Sequence, residues 1–155
     1  MPEFGYSWRK AGPEEGVVRA SIREVRMSGK DAMEVAAWIK GMKTTQARTR
    51  LQRVLEKRDF VPFRRHKKKV PHRADATGFY SGRYPIKVAG HFLKLIDTLE
   101  ANAQDRGLDP DNLRIIHASA YVGRKMVRYT PRAFGRTSPK IGPLVHVEVV
   151  AREAT

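Results

Sequence analysis

No cysteine occurs anywhere in the 155-residue chain, which excludes disulfide bonds, zinc sites built on thiolates and thiol catalysis. No apolar run approaches the roughly 20 residues that a membrane-spanning helix needs. The start, Met1-Pro2-Glu3-Phe4, lacks the basic segment and apolar stretch of a secretion signal. Acidic residues are scarce: 16 Asp and Glu stand against 31 Lys and Arg, a net charge of +15. Together these absences predict an intracellular, soluble protein with no membrane partner and no cofactor.

A positive surplus of that size repels itself and weakens the compact state of the free protein. It becomes favourable beside a polyanion, because each neutralised phosphate releases a counterion. Nucleic acid is therefore the first partner to consider. With 41% hydrophobic residues, the chain still has enough apolar surface for one modest core.

Periodicity places the elements. Residues 1–15 read as an extended arm. From Val17 to Val25 the pattern has period two, with Val17, Arg19, Ser21 and Arg23 on one face and Val18, Ala20 and Ile22 on the other. Ser28 and Asp31 form a helix start, and Ala32, Val35, Ala36 and Ile39 make its apolar stripe up to Gly41. Thr44 or Thr45 is expected to cap a second helix with Ala47, Leu51, Val54 and Leu55 inside. Residues 59–84 show no period and read as a long basic insert loop, a feature that is generally functional. Pro85 is expected in the first turn of the strongest helix, whose stripe is Ile86, Ala89, Phe92 or Leu93, Ile96, Leu99 and Ala103. Two strand-like runs, Leu113 to Val122 and Leu144 to Val150, follow.

Between those runs lies the most informative segment. From Asn112 to Val147 there is no Asp or Glu, while Arg114, Arg124, Lys125, Arg128, Arg132, Arg136 and Lys140 supply positive charge. Ordinary surfaces mix both signs, so an acid-free stretch of this length points to an anionic partner. Gly123, Pro131, Gly135, Pro139, Gly142 and Pro143 are expected to break regular pairing and loosen a ribbon whose tip falls near Phe134-Gly135. Arms of about ten residues at ~3.3 Å each would project on the order of 30 Å. A two-stranded ribbon of that length is marginal in water, so RNA backbone is expected to support it, with Arg, Tyr129 and Phe134 available to stack on bases.

These residues resemble a known family. Pro131-Arg-Ala-Phe-Gly-Arg136, Ser138-Pro139 and the closing Pro143-x-x-His-x-Glu148 are similar to the universal large-subunit ribosomal protein twenty-two family. Val61-Pro-Phe-Arg-Arg65, Gly82-Arg-Tyr-Pro85 with Lys87, Ala101-Asn-Ala103, Arg106-Gly-Leu-Asp109 and Ile39-Lys-Gly-Met42 extend the likeness over most of residues 16–150, in order. The short C-terminus points to the archaeal type. The resemblance implies a single α+β domain over 1–155: three helices packed on a small three-stranded antiparallel sheet, with a long protruding β-hairpin over 121–144. It implies a structural, non-enzymatic constituent of the cytoplasmic large ribosomal subunit that binds large-subunit rRNA and assists assembly. Its partners would be rRNA, neighbouring ribosomal proteins and the nascent polypeptide, with no homo-oligomer. Carried over by position, Arg124, Lys125, Arg128, Arg132, Arg136 and Lys140 would contact rRNA along the arms. Arg64, Arg65, Arg83 and Lys87 would do so from the insert, and Lys67, in a basic run that departs from the family pattern, is expected to contact rRNA beside them. Arg132, Ala133, Phe134, Gly135 and Arg136 would form the tip at the wall of the polypeptide exit tunnel.

Two other classes compete. A nuclease would draw on His66, His72, His91, His117 and His146 with Asp75 or Asp97. The chain, however, has no His-x-x-x-His spacing, no phosphate-binding glycine loop, and no acid close in sequence to His117. A free architectural nucleic-acid binder would use the same ribbon to enter a groove, but such proteins are normally symmetric dimers and no dimer signature is present.

Overall fold

A computed structural model describes residues 5–8, 16–74 and 79–153. Asp75 and most of the expected arm over 1–15 lie outside them. The elements run in order β1 (Val17–Arg26), α1 (Gly29–Ile39), α2 (Thr44–Leu55), β2 (Val61–Pro62), β3 (Gly82–Arg83), α3 (Ile86–Asp105), β4 (Leu113–Pro131) and β5 (Thr137–Glu153). Short 3-10 turns precede β4 and join β4 to β5. The main sheet has strand order β1-β5-β4 and is antiparallel throughout. Three helices on three antiparallel strands give the expected α+β architecture.

Alternation along the strands makes the core. Val18 and Ala20 of β1, Leu113 and Ile115 of β4, and Val145, Val147, Val149 and Ala151 of β5 are all buried in one cluster. Onto that face α3 brings Val88, Ala89, Phe92, Leu95, Ile96, Leu99 and Ala103, while α1 brings Ala32, Val35, Ala36 and Ile39. The Ser28 hydroxyl accepts from the Asp31 N–H, as its position predicts. Such a cap contributes about 1 kcal/mol.

Two helix starts differ from expectation. The residue preceding α2 is Lys43, which makes no side-chain cap. Thr44 is instead the first residue of the helix, fully buried, and its hydroxyl donates to the Pro110 carbonyl. In α3, Pro85 stands one position before the helix, and Ile86 is exposed while Val88 and Leu95 are buried. The stripe is thus rotated at its start, since the helix meets the core only from its third position, Val88, inward.

The insert is more ordered than its lack of period suggests. β2 and β3 pair as a two-residue ladder, and His72 bridges Ser81. Val61 and Phe63 are buried. A two-residue strand carries no periodicity to read. The loop is also held from below, because Glu34 of α1 is buried and its carboxylate accepts from the N–H groups of Arg64, Arg65 and His66 at 3.0, 2.8 and 2.7 Å.

The outer face of the sheet is covered as well. His146 and Glu148 alternate with the core valines yet are only 6% and 2% exposed. The Ser7 N–H donates to both Glu148 oxygens, and the Ser7 hydroxyl donates to the same carboxylate. Arg19 reaches over the rings of Tyr6 and Trp8. Residues 5–8 therefore lie across the strands.

Candidate nucleic-acid interface

Pairing between β4 and β5 does not stop at the core. After an irregularity between Val122 and Lys125, the register continues from Lys125↔Pro143 to Pro131↔Thr137. The expected loosening by proline is not found. The pairing of β1 with β5 ends at Arg26↔Leu144, so Pro139 and Pro143 fall where β5 has become an edge. A missing N–H on an edge can cost no ladder bond.

This register gives the ribbon two faces, because directly paired residues share a side. One side carries Met126, Arg128 and Thr130 with Gly142, Lys140 and Ser138 opposite. The other carries Lys125, Val127, Tyr129 and Pro131 with Pro143, Ile141, Pro139 and Thr137. The first is basic and polar; the second is mostly apolar. Val127, Ile141 and Tyr129 are 50%, 54% and 69% exposed. Exposed apolar side chains grouped in this way mark a contact surface.

Arg128 and Lys140 face each other across the strands. Like charges directly opposite destabilise a free ribbon. A phosphate between them reverses the sign of that interaction. Arg26, at the end of β1, lines the same shallow groove beside Met126, Arg128 and Lys140. Reading along the chain missed Arg26, since only the pairing of β1 with β5 carries it to the ribbon's root.

Arg124, Lys125, Arg128, Arg132, Arg136 and Lys140 are all exposed. The turn at the tip spans Ala133–Gly135. Phe134 there has φ 57° and is 98% exposed, and Gly135 has φ 64°. A left-handed conformation is rare for an aromatic residue and costs on the order of 1 kcal/mol or more. The Arg132 N–H closes the turn by donating to the Arg136 carbonyl.

The ribbon's root depends on a missing side chain. A Cβ built on Gly123 would lie 2.0 Å from His146 Nε2. The His146 ring is held by the Glu24 N–H, which donates to Nδ1, and it packs on Tyr121. Gly123→Val is therefore expected to lower stability by about 2 kcal/mol through overpacking. Gly142→Val, at a site where the nearest neighbour of an added Cβ is 3.8 Å away, is the matched control in urea denaturation. Equal effects would show that the His146 ring moves aside freely.

In the insert, Arg64 and Lys67 both lie over the Phe79 ring, at 5.5 and 5.2 Å from its centroid. Arg65 is exposed, and Arg83 donates to the Lys69 carbonyl. Lys87 is exposed in the first turn of α3. The structure thus groups Arg64 with Lys67 and Arg128 with Lys140, but among the described residues no hydrogen bond joins insert to ribbon.

The family model for Ribosomal protein L22p/L17e matches residues 20–152. The chain belongs to this family. Relatives named large ribosomal subunit protein uL22 include one from Cenarchaeum symbiosum, 49% identical over 99% of this chain and all of its own length. Those of Thermofilum pendens and Archaeoglobus fulgidus are 48% and 44% identical, covering 99% and 97% of both chains. Members of the L22p/L17e family are structural ribosomal proteins, not enzymes.

One cluster in this L22p/L17e chain superficially resembles a catalytic triad. The fold places Glu148 beside His117, although no acid stands close to His117 in sequence. Glu148 Oε1 lies 3.2 Å and Ser7 Oγ 3.1 Å from the same ring atom, His117 Nε2. A relay needs carboxylate and hydroxyl on opposite ring nitrogens. Here they share one, so the cluster fastens residues 5–8 to the sheet. His91 is held below its ordinary pKa by burial and by the nearby Lys87 and Lys94, which keeps it neutral near pH 7. Among the described residues, no group of His, Asp and Glu is arranged to hold a metal.

Proposed function

We propose that this chain is a structural constituent of the cytoplasmic large ribosomal subunit, and that its ribbon and insert bind large-subunit rRNA during and after assembly. The observation that supports this reading most directly is Arg128 opposite Lys140 on an acid-free ribbon. Such a ribbon is self-repelling alone and favourable on phosphate. Arg124, Arg132 and Arg136 add charge at the ribbon's root and tip, Lys125 adds it on the other face, and Arg64, Arg65, Lys67, Arg83 and Lys87 form a second basic group on the insert side. The exposed tip, Arg132 to Arg136 with Phe134 outermost, would border the polypeptide exit tunnel and meet the nascent chain. Neighbouring ribosomal proteins complete its partners, and no homo-oligomer is required. No helix among the described residues is long and apolar enough to cross a membrane.

Tagged protein in lysate is expected to cosediment with the large subunit at moderate salt. Its absence from that fraction would refute the assignment. A finer test replaces Arg128 or Arg132 singly by Ala. Each change should reduce the salt slope of rRNA binding by about one unit. An unchanged slope would show that neither side chain meets phosphate.

A further inference from the structure

Away from the ribbon, α1, α2 and the insert enclose an open groove of about 740 Å³, within the ~300–1,000 Å³ typical of ligand sites. Trp38, Phe60 and Phe79 supply aromatic surface, and Arg50, Arg53, Arg64 and Arg65 supply charge. Arg50 lies over the Trp38 ring at 5.7 Å, Arg64 and Lys67 lie over Phe79 at 5.5 and 5.2 Å, and Phe79 stacks on Tyr80. Two carboxylates, Glu34 and Asp59, also line the groove. That of Glu34 is engaged by three backbone N–H groups, so cations dominate the open part.

We propose that this groove takes one unpaired nucleotide of RNA, with its base against the ring and guanidinium planes of Trp38, Arg50, Arg64 and Phe79 and its phosphate beside Arg53 and Arg65. The proposal rests on the rRNA-binding reading and adds a second, base-contacting site to it. Arginine and aromatic side chains together are the pairing that single-stranded nucleic acid requires, since bases present flat faces and the backbone presents charge. An acidic peptide would answer only the charge and leave the rings without a matching surface.

The two tryptophans of the chain are Trp8 and Trp38, so a Trp8→Phe variant of the full chain makes Trp38 the sole reporter. Adding a short oligoadenylate should quench its emission saturably, because a stacked base quenches indole. Polyglutamate of equal charge should not. Phe79→Ala should weaken the quenching roughly tenfold, as expected for the loss of one stacking platform. Arg53→Ala, at an exposed position where folding is safe, should weaken it through lost phosphate contact. Binding of a labelled oligoadenylate is followed in parallel by anisotropy. Anisotropy without quenching would overturn the groove site while leaving the ribbon's RNA binding intact. Loss of both signals would overturn both readings. Equal quenching by polyglutamate would assign the groove to a protein partner and overturn the proposal.

Discussion

Replacing Glu34 by Ala is expected to lower the unfolding free energy by about 2–4 kcal/mol and to release the insert before the core. The Glu34 carboxylate sits on α1 at 3% exposure, and three consecutive backbone N–H groups of the insert converge on it. Hydrogen bonds to an ionised acceptor are worth about twice their neutral counterparts. Truncation removes all three at once and leaves donors that only penetrating water can satisfy. Glu34→Gln keeps the shape and one acceptor oxygen, so it should cost less. Urea denaturation gives the free energies, and hydrogen exchange at Arg64, Arg65 and His66 reports the local release. A loss under about 1 kcal/mol, with those amides still protected, would mean that burial of Val61 and Phe63 positions the insert unaided.

Neutralising the ribbon is expected to give the largest change in RNA affinity. Substituting Ala at Arg124, Lys125, Arg128, Arg132, Arg136 and Lys140 together should flatten the salt slope by about four to five units. Affinity for large-subunit rRNA near physiological salt should fall on the order of a thousandfold. All six side chains are exposed, so folding should survive. Removing the Arg128–Lys140 opposition should raise the stability of the free protein by a few tenths of a kcal/mol. Opposite signs in the two measurements are the signature of charges placed for a partner. Reduced stability together with unchanged RNA affinity would contradict that placement.

Not every ion pair carries comparable weight. Arg48 of α2 bridges Asp97 and Glu100 of α3, both at 2.6 Å. The hydrogen bond to Glu100 is the main cause of its raised pKa. Arg48 and Asp97 are substantially open to solvent, and exposed pairs contribute about 0–1 kcal/mol. The α2–α3 contact therefore depends mainly on buried residues such as Ala47, Leu51 and Val54.

Residue patterns alone determined a good deal about this protein. The stripe Ala32, Val35, Ala36 and Ile39, the alternation Val145, Val147 and Val149, the Ser28 cap and the turn at Phe134-Gly135 were legible because each is local, set by neighbours within a few residues. The acid-free run from Asn112 to Val147 marked the basic ribbon without any fold, since charge is a property of composition. Only the tertiary structure decided the rest. It set Glu34 beneath Arg64–His66, turned Thr44 from a cap into a donor to Pro110, and gathered Trp38, Arg50 and Phe79 around one groove. It also closed Glu148 with Ser7 and His117, and showed that Pro139 and Pro143 sit on an edge where pairing continues. Each of these joins residues far apart in the chain. Such contacts depend on which elements pack together, and that choice of partner leaves no periodic trace in the order of amino acids.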